Sequence, residues 1–249
     1  MKRNAFLPAL LMNLFTVPVF AGAMGTVNPS SDWAWMSTIS AGPAWEHAGK
    51  NQSFYLTPEI EKTYAAHQSI HTLAIGELFI GMQKTLSKST QIQLGLAVAA
   101  TSEASLTGLV WDDVDPQFAN HSYRYKMQYS HLGMKSKILM DKGYWLTPWI
   151  SGSLGIGFNS SYAYKNTPLI DEAIVNPNFA SYTQIAFTYT VGAGVQKSLN
   201  QHWRVGMGYE FADWGKSKLG RAAEQTLNSG IEFSHLYTNG ILFNLTYCS

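Results

Sequence analysis

The sequence predicts an all-β fold: an eight-stranded antiparallel up-and-down transmembrane β-barrel with four long extracellular loops and three short periplasmic turns. Apolar and polar residues alternate with period two in eight stretches, the pattern of strands with two unlike faces. The connections between these stretches are short and long in turn. Charged residues make up only 13% of the chain, against about 25% in soluble domains. Yet mean hydropathy is near zero, at −0.08, and no run long enough for a membrane helix follows the N-terminal stretch. Ser, Thr, Asn, Gln and Gly stand where charges would be.

Residues 1–23 read as a cleavable secretory leader. Lys2 and Arg3 precede the apolar run AFLPALLMNLFTVPVF, and Ala21-Gly22-Ala23 or Val19-Phe20-Ala21 supplies the small-x-small cleavage site. Residues 24–32 then form a short periplasmic segment, and residues 33–249 the barrel domain. Losing Lys2 and Arg3 takes two from the 17 basic residues and leaves the 16 acidic ones, a balance that gives no support to nucleic-acid binding. Cys248 is the only cysteine, which excludes disulfide scaffolds, zinc sites and thiol-redox motifs within the chain.

The strands follow in order. The first, 33–46, has Trp33, Trp35, Ile39, Ala41 and Trp45 in one phase. The second, about 72–86, sets Ala74, Leu78, Ile80 and Met82 against Glu77, Gly81 and Gln83. In the third, 91–101, Ile92, Leu94, Leu96, Val98 and Ala100 oppose Gln91, Gln93, Gly95, Ala97, Ala99 and Thr101. The fourth, 122–140, begins with Tyr123, Tyr125, Met127 and Tyr129 against Arg124, Lys126 and Gln128. It continues with Leu132, Met134, Ile138 and Met140 against Gly133, Lys135 and Lys137. The slip near Ser130-His131 predicts a β-bulge. The fifth, about 144–159, places Ile150, Leu154, Ile156 and Phe158 against Ser151, Ser153, Gly155 and Gly157. The sixth (183–197), seventh (203–213) and eighth (about 235–247) alternate likewise, the last with Tyr237, Ile241, Phe243, Leu245 and Tyr247 in its apolar phase.

Short connections fall at 87–90, 141–143 and 199–202, and long ones at about 47–71, 103–121, 160–182 and 214–234. This is the plan of a transmembrane barrel with tight turns at one end and long loops at the other. Alternation alone fits a soluble barrel equally well; the polar phase decides. It is small and mostly neutral, as a cramped eight-stranded lumen requires, while the apolar phase is bulky. Aromatic belts are expected at both interfaces: Trp33, Trp35, Tyr144, Trp145, Trp203 and Tyr247 below, and Trp45, Tyr123, Tyr125 and Trp214 above.

Seven charges fall in the polar phase and form the expected lumen network: Glu77, Arg124, Lys126, Lys135, Lys137, Arg204 and Glu210. Unpaired buried charge is costly, so Glu210 is expected to meet Lys135, Lys137 or Arg204, and Glu77 to meet Arg124 or Lys126. Such a network reads as a polar plug or, given its basic excess, as a narrow porin-like passive channel with an anion preference. In the acidic loop WDDVDP, Asp112, Asp113 and Asp115 are weak candidates for a divalent cation, without the Gly and distal Glu of a Ca²⁺ loop. Nothing else suggests a metal or a cofactor. The first and third long loops, SFYLTPEIEKTYAAH and SYAYKNTPLIDEAIVNPNF, carry apolar and aromatic residues beyond what solvated loops need. They are expected to pack on one another over the mouth or to contact a partner.

The C-terminal NGILFNLTY resembles the outer-membrane assembly signal, with Asn239, Gly240, Phe243 and Leu245 in its positions and Tyr247 extending the run; Cys248-Ser249 follow where a terminal aromatic is usual. Together with AGAMGTV, GYWLTPWISGSLGIGFN and TVGAGVQKSLNQHWRVGMGYEFADWGKS, residues 24–249 resemble the opacity-type family. Its members are eight-stranded outer-membrane proteins related in fold to the transmembrane domain of outer-membrane protein A. The resemblance implies a Gram-negative outer-membrane location. It implies contact with outer-membrane lipid and lipopolysaccharide, use of the barrel-assembly machinery, and an adhesin-like structural or interaction role toward a host or cell-surface ligand. An enzyme is not expected. Omptin-type proteases pair Asp with His on the rim, and no Asp-x-His occurs here. The His-x-Ser-Asn run of lipid A deacylases is approached only by His67-Gln68-Ser69, which Ile70 follows.

Overall fold

The computed structural model describes residues 33–249 apart from 68, 88, 113, 172, 174 and 175. The leader at 1–23 and the segment 24–32 lie outside the described residues. The strands are β1 (Trp33–Ala48), β2 (Gln52–Thr57), β3 (Ile60–Ala66), β4 (Ser69–Ser87), β5 (Thr90–Thr101), β6 (Ala104–Asp112), β7 (Ala119–Met140), β8 (Thr147–Pro168), β9 (Tyr182–Ser198), β10 (Trp203–Asp213), β11 (Ser217–Lys218), β12 (Glu232–Phe233) and β13 (Tyr237–Cys248). Eight of them close a ring in the order β1–β4–β5–β7–β8–β9–β10–β13, which returns to β1, every neighbour antiparallel. Closure leaves no unpaired edge, the condition for sheet in a bilayer.

The apolar phase points outward. Ile39, Met134, Leu154, Ile185 and Phe187 are each more than 60% exposed. Thr38, Gln93, Ser153, Thr190 and Thr246 fill the inside and are buried. This is the polarity of a barrel that crosses a bilayer. Trp35, Tyr144, Trp145, Trp203 and Tyr247 are exposed at the short-turn end. There Lys84 lies over the Trp33 ring and Lys197 over Trp145, aliphatic stems along the wall and ammonium groups at the rim.

The expected bulge at Ser130-His131 does not form. Ser130↔Phe158 and His131↔Gly157 continue one register, and the odd-numbered residues of β7 stay buried from His121 to Leu139. What changes at Ser130 is the surroundings. Below it the outer face meets lipid and the inner face is polar; above it the outer face meets water and the inner face carries Tyr123, Tyr125, Met127 and Tyr129. An inversion of polarity along an unbroken strand looks in sequence like a slip of phase. The register does shift higher up, between Arg124 and Lys126, opposite Ala163 at φ +54°.

The expected loops are largely strand. β6 continues the line of β5 along β7 after a break at Ser102-Glu103, so most of 103–121 is a hairpin closed by a 3-10 turn at Pro116–Phe118. β7 and β8 each run 22 residues, about twice the 9–11 needed to span the hydrocarbon. The first loop folds as the hairpin β2–β3, whose β3 pairs with β6. These extensions carry a second, apolar core above the barrel. In it Phe54 stacks on Tyr64 at 5.0 Å, and Phe179 meets Tyr64 at 5.2 Å and Tyr164 at 4.8 Å. The fourth loop inserts Trp214, Leu219, Ala222, Ile231 and Leu236. Tyr123, Tyr125 and Trp214, expected in the outer aromatic belt, therefore belong to this interior; Trp214 donates Nε1–H to Thr238 at 2.9 Å.

Candidate functional site

Two regions concentrate polar chemistry: the lumen and the extracellular head. In the lumen, β7 carries Lys135 between β4 and β10. Its ammonium donates to both oxygens of Glu77, at 2.6 and 2.7 Å, and to Glu210 at 2.9 Å. All three side chains are less than 10% exposed. Charge-assisted contacts of this length are the strong class of hydrogen bond, and one cation between two carboxylates knits three strands together. Lys137 lies nearer the short turns. It donates to Gln196 at 2.9 Å and sits 4.4 Å over the Trp149 ring. Trp149 rests on Gly194 and Gly208, where any side chain would meet its ring. Arg204 donates to Gln83 at 2.8 Å, and Gln93 donates to the same Gln83 oxygen at 2.9 Å. Above the triad the His131 ring lies over Gly133 and Gly155 and bonds Thr188 and Ser153. The cavity left beside Lys135, Lys137 and Trp149 measures about 20 Å³, room for about one water molecule.

Of the seven charges expected in the lumen, Glu77, Lys135 and Glu210 are brought together, and Lys137 and Arg204 lie lower, among glutamines. Arg124 and Lys126 are not in the lumen. They stand on the outer face of β7 above the lipid band, because the unbroken inward–outward alternation of β7 turns the polar phase of the upper strand outward. Glu77 consequently meets Lys135. Lys126 pairs with Glu103 at 2.6 Å, and Tyr162 bonds the same carboxylate. Lys126 and Tyr162 hold the Glu103 carboxyl below its ordinary value.

The acidic loop residues are engaged separately. Asp112 pairs with Lys62 at 2.9 Å and accepts from Asn120 at 2.6 Å. Burial raises its pKa, but Lys62 and Asn120 outweigh that and hold it below the ordinary value. Asp115 caps the 3-10 turn through the Gln117 N–H, and Asp113 lies outside the described residues. Among the described residues no group of three His, Cys, Asp or Glu side chains is placed to hold a metal.

At the C-terminus, Phe243, Leu245 and Tyr247 point outward, while Gly240 faces in against Ala44. The hydrophobic positions of the pattern quoted for the assembly signal thus form one lipid-facing row of β13, with its glycine on the opposite face. Cys248 is buried in the lower lumen.

The head is stitched by backbone as well as by its core. Leu56 O accepts from Thr226 and Leu227, Gly220 donates to Ala180 O, and the Gln52 amide exchanges two bonds with the Glu232 backbone. Between the first and fourth loops lies an open cleft of about 780 Å³. Lys50, Lys218 and Arg221 bring three cations to its walls against Glu232, with Tyr182 and Phe54 as aromatic surface. The Arg221 Nε–H is fixed on Asn228 O at 2.7 Å, and Lys218 lies 4.9 Å over the Tyr182 ring. Sequence reasoning missed this cleft because its walls come from loops some 170 residues apart, and neither loop carries a motif. It also missed the pair His235–Asp213 at 2.9 Å. The buried Asp213 accepts the Gly215 N–H on its other oxygen, so the pair fastens the end of β10 to the last residues of the fourth loop, just before β13.

No family model matches the sequence, and no curated protein matches it. Solved structures match in chain course. Neisserial surface protein A is 9% identical, with 87% of this chain and 97% of that one covered and a TM-score of 0.44. The outer membrane protease OmpT of Escherichia coli is 8% identical over the same shares, at 0.45. The attachment invasion locus protein Ail of Yersinia pestis is 12% identical over 86% of this chain and 98% of that one, at 0.33.

Proposed function

We propose that this chain is an integral outer-membrane surface protein with a closed barrel, acting through its extracellular head as a non-enzymatic recognition or adhesion module. The observation that carries the reading is the division of space. The lumen is filled by paired charges and by Trp149, and an apolar core covers its mouth, whereas the head holds an open cleft of about 780 Å³. A site that size falls within the roughly 300–1,000 Å³ of ligand pockets. The cleft walls are rigid, since both loops are hydrogen-bonded and share one core, so little order has to be gained on binding. A passive channel fits less well, because ions would have to part Lys135 from both carboxylates. The β13 row of Phe243, Leu245 and Tyr247 with Gly240 fits recognition by the barrel-assembly machinery.

The test has two arms. Planar-bilayer recording of the purified protein is expected to show no conductance steps at any voltage; regular steps would overturn the closed barrel. Cells displaying the protein are expected to bind host cells or matrix, and K218A/R221A to reduce that binding at unchanged surface level. Equal binding by the variant would remove the cleft from the account.

A further inference from the structure

The outer wall above the lipid band carries a feature that neither the fold nor the cleft uses. Arg124 on β7 and Lys165 on β8 are exposed cross-strand partners in register. Side chains directly opposite stand about 5 Å apart at Cβ, and like charges there destabilise a sheet. Among the described residues neither has a carboxylate within ion-pair distance. Lys126 adds a third cation two residues along, with Glu103 as its one acid. The exposed hydroxyls of Ser105 and Thr107 flank them, opposite Lys126 and Arg124 on β6. Immediately below is a hydroxyl-lined notch of about 390 Å³, walled by Gln128, Ser160, Tyr162, Ser181 and Thr183. Below that, Leu132, Ile156, Phe158 and Ile185 begin the apolar band.

Height narrows the occupant. At about 3.3 Å per residue, Lys126 and Arg124 stand roughly 13 and 20 Å along the strand above Ser130. With a tilt of about 40° that is roughly 10 and 15 Å vertically. The headgroup layer of a plain phospholipid is only about 5–8 Å deep, so its phosphates lie beneath these cations. A saccharide headgroup bearing phosphates reaches them and offers its hydroxyls to the notch. We infer that the outer face of β7 and β8 is a binding site for a phosphorylated glycolipid of the surrounding leaflet, its phosphates on Arg124, Lys165 and Lys126 and its sugar in the notch below. The inference rests on the outer-membrane reading above.

The experiment inserts the full mature protein into phosphatidylcholine vesicles containing phosphatidylglycerol, a phosphorylated lipopolysaccharide, or the same glycolipid dephosphorylated. It reads heat-modifiable mobility for folding and glycolipid retained with the extracted barrel for binding. Wild type is expected to retain the phosphorylated form selectively. R124Q/K165Q is expected to bind it on the order of thirtyfold more weakly, about fivefold for each cation near an anionic surface, with K142Q in a short turn unchanged. If the double variant fails to fold, K165Q alone is expected to show a loss of about fivefold. Equal retention by the variant, by the dephosphorylated lipid or by phosphatidylglycerol overturns the site. Failure of the wild type to insert in any vesicle overturns the outer-membrane reading itself, and the site with it; insertion without preference overturns the site alone.

Discussion

Replacing Lys135 with Met removes the one cation between Glu77 and Glu210 and keeps most of the side chain's volume. Both carboxylates then face each other inside the lumen with side chains 3% and 9% exposed. Breaking a buried pair by deleting one partner costs about 3–5 kcal/mol. Here three contacts of 2.6–2.9 Å are lost at once and two like charges remain, so the upper end applies. At about 5 kcal/mol that is nearly four orders of magnitude in the unfolding equilibrium at about 1.36 kcal/mol per tenfold, a large share of a stability of about 5–15 kcal/mol. The assay is urea unfolding from lipid vesicles followed by tryptophan fluorescence. The triple variant K135M/E77Q/E210Q removes the charge along with the cation and is expected to recover more than half of the loss. A loss below about 1 kcal/mol for K135M, the range of a solvent-exposed pair, would refute the reasoning; so would a triple variant no more stable than the single one.

Other consequences are equally concrete. Leu154→Arg, at the middle of the lipid-facing row of β8, is expected to lose about 2–4 kcal/mol, and Ser160→Arg above the band about 0–1 kcal/mol, both by vesicle unfolding. Gly208→Ala would press a methyl into the Trp149 ring. A cost of about 1–3 kcal/mol is expected, with a shift in Trp emission. Leu219→Ala opens the fully buried head core at about 2–5 kcal/mol; limited proteolysis should then cut the loops while the barrel keeps its heat-modifiable mobility. Glu103 and Asp112 both have carboxyls held below their ordinary values by Lys126 and Lys62. Their contribution is therefore fully present above the unfolded-state value and is lost as pH falls through the lower folded-state one. Acidification in that window should raise protease cleavage of the 103–118 hairpin, and E103Q/D112N should be cleaved equally at both ends of it.

The ring of strands was legible because lipid and lumen impose opposite demands on alternate residues, and residues 91–101 show both faces plainly. Strand ends in the head were not, because there the demands reverse. Tyr123, Tyr125 and Tyr129 read as an outward row from their bulk, and Arg124 and Lys126 as lumen cations, when a strand emerging into water buries the former and exposes the latter. The triad was half legible: depth places Glu210 with Lys135, Lys137 or Arg204, of which it meets Lys135, but Glu77 was assigned to the cations that the inversion moves outside. The folding of 47–71 and 103–121 into strand was hidden for a different reason. β3 pairs with β2 and β6, and β6 with β3 and the overshoot of β7, so both lie above the lipid band and neither carries the bulky lipid-facing row of a wall strand. The cleft depends on contacts between the first and fourth loops, which no local pattern encodes.

In β7 one unbroken strand changes its surroundings at Ser130 while keeping its faces. A nitroxide scan along β7 tests it most directly, with single cysteines at each position from 122 to 140 in a Cys248→Ser background and collision rates measured with oxygen and with a water-soluble relaxant. The structure predicts period-two oxygen access at 132, 134 and 138, the same parity open to the aqueous relaxant at 124, 126 and 128, and shielding at the odd positions throughout. Aqueous access or lipid access at the odd positions above 130, with 124 and 126 shielded, would contradict it.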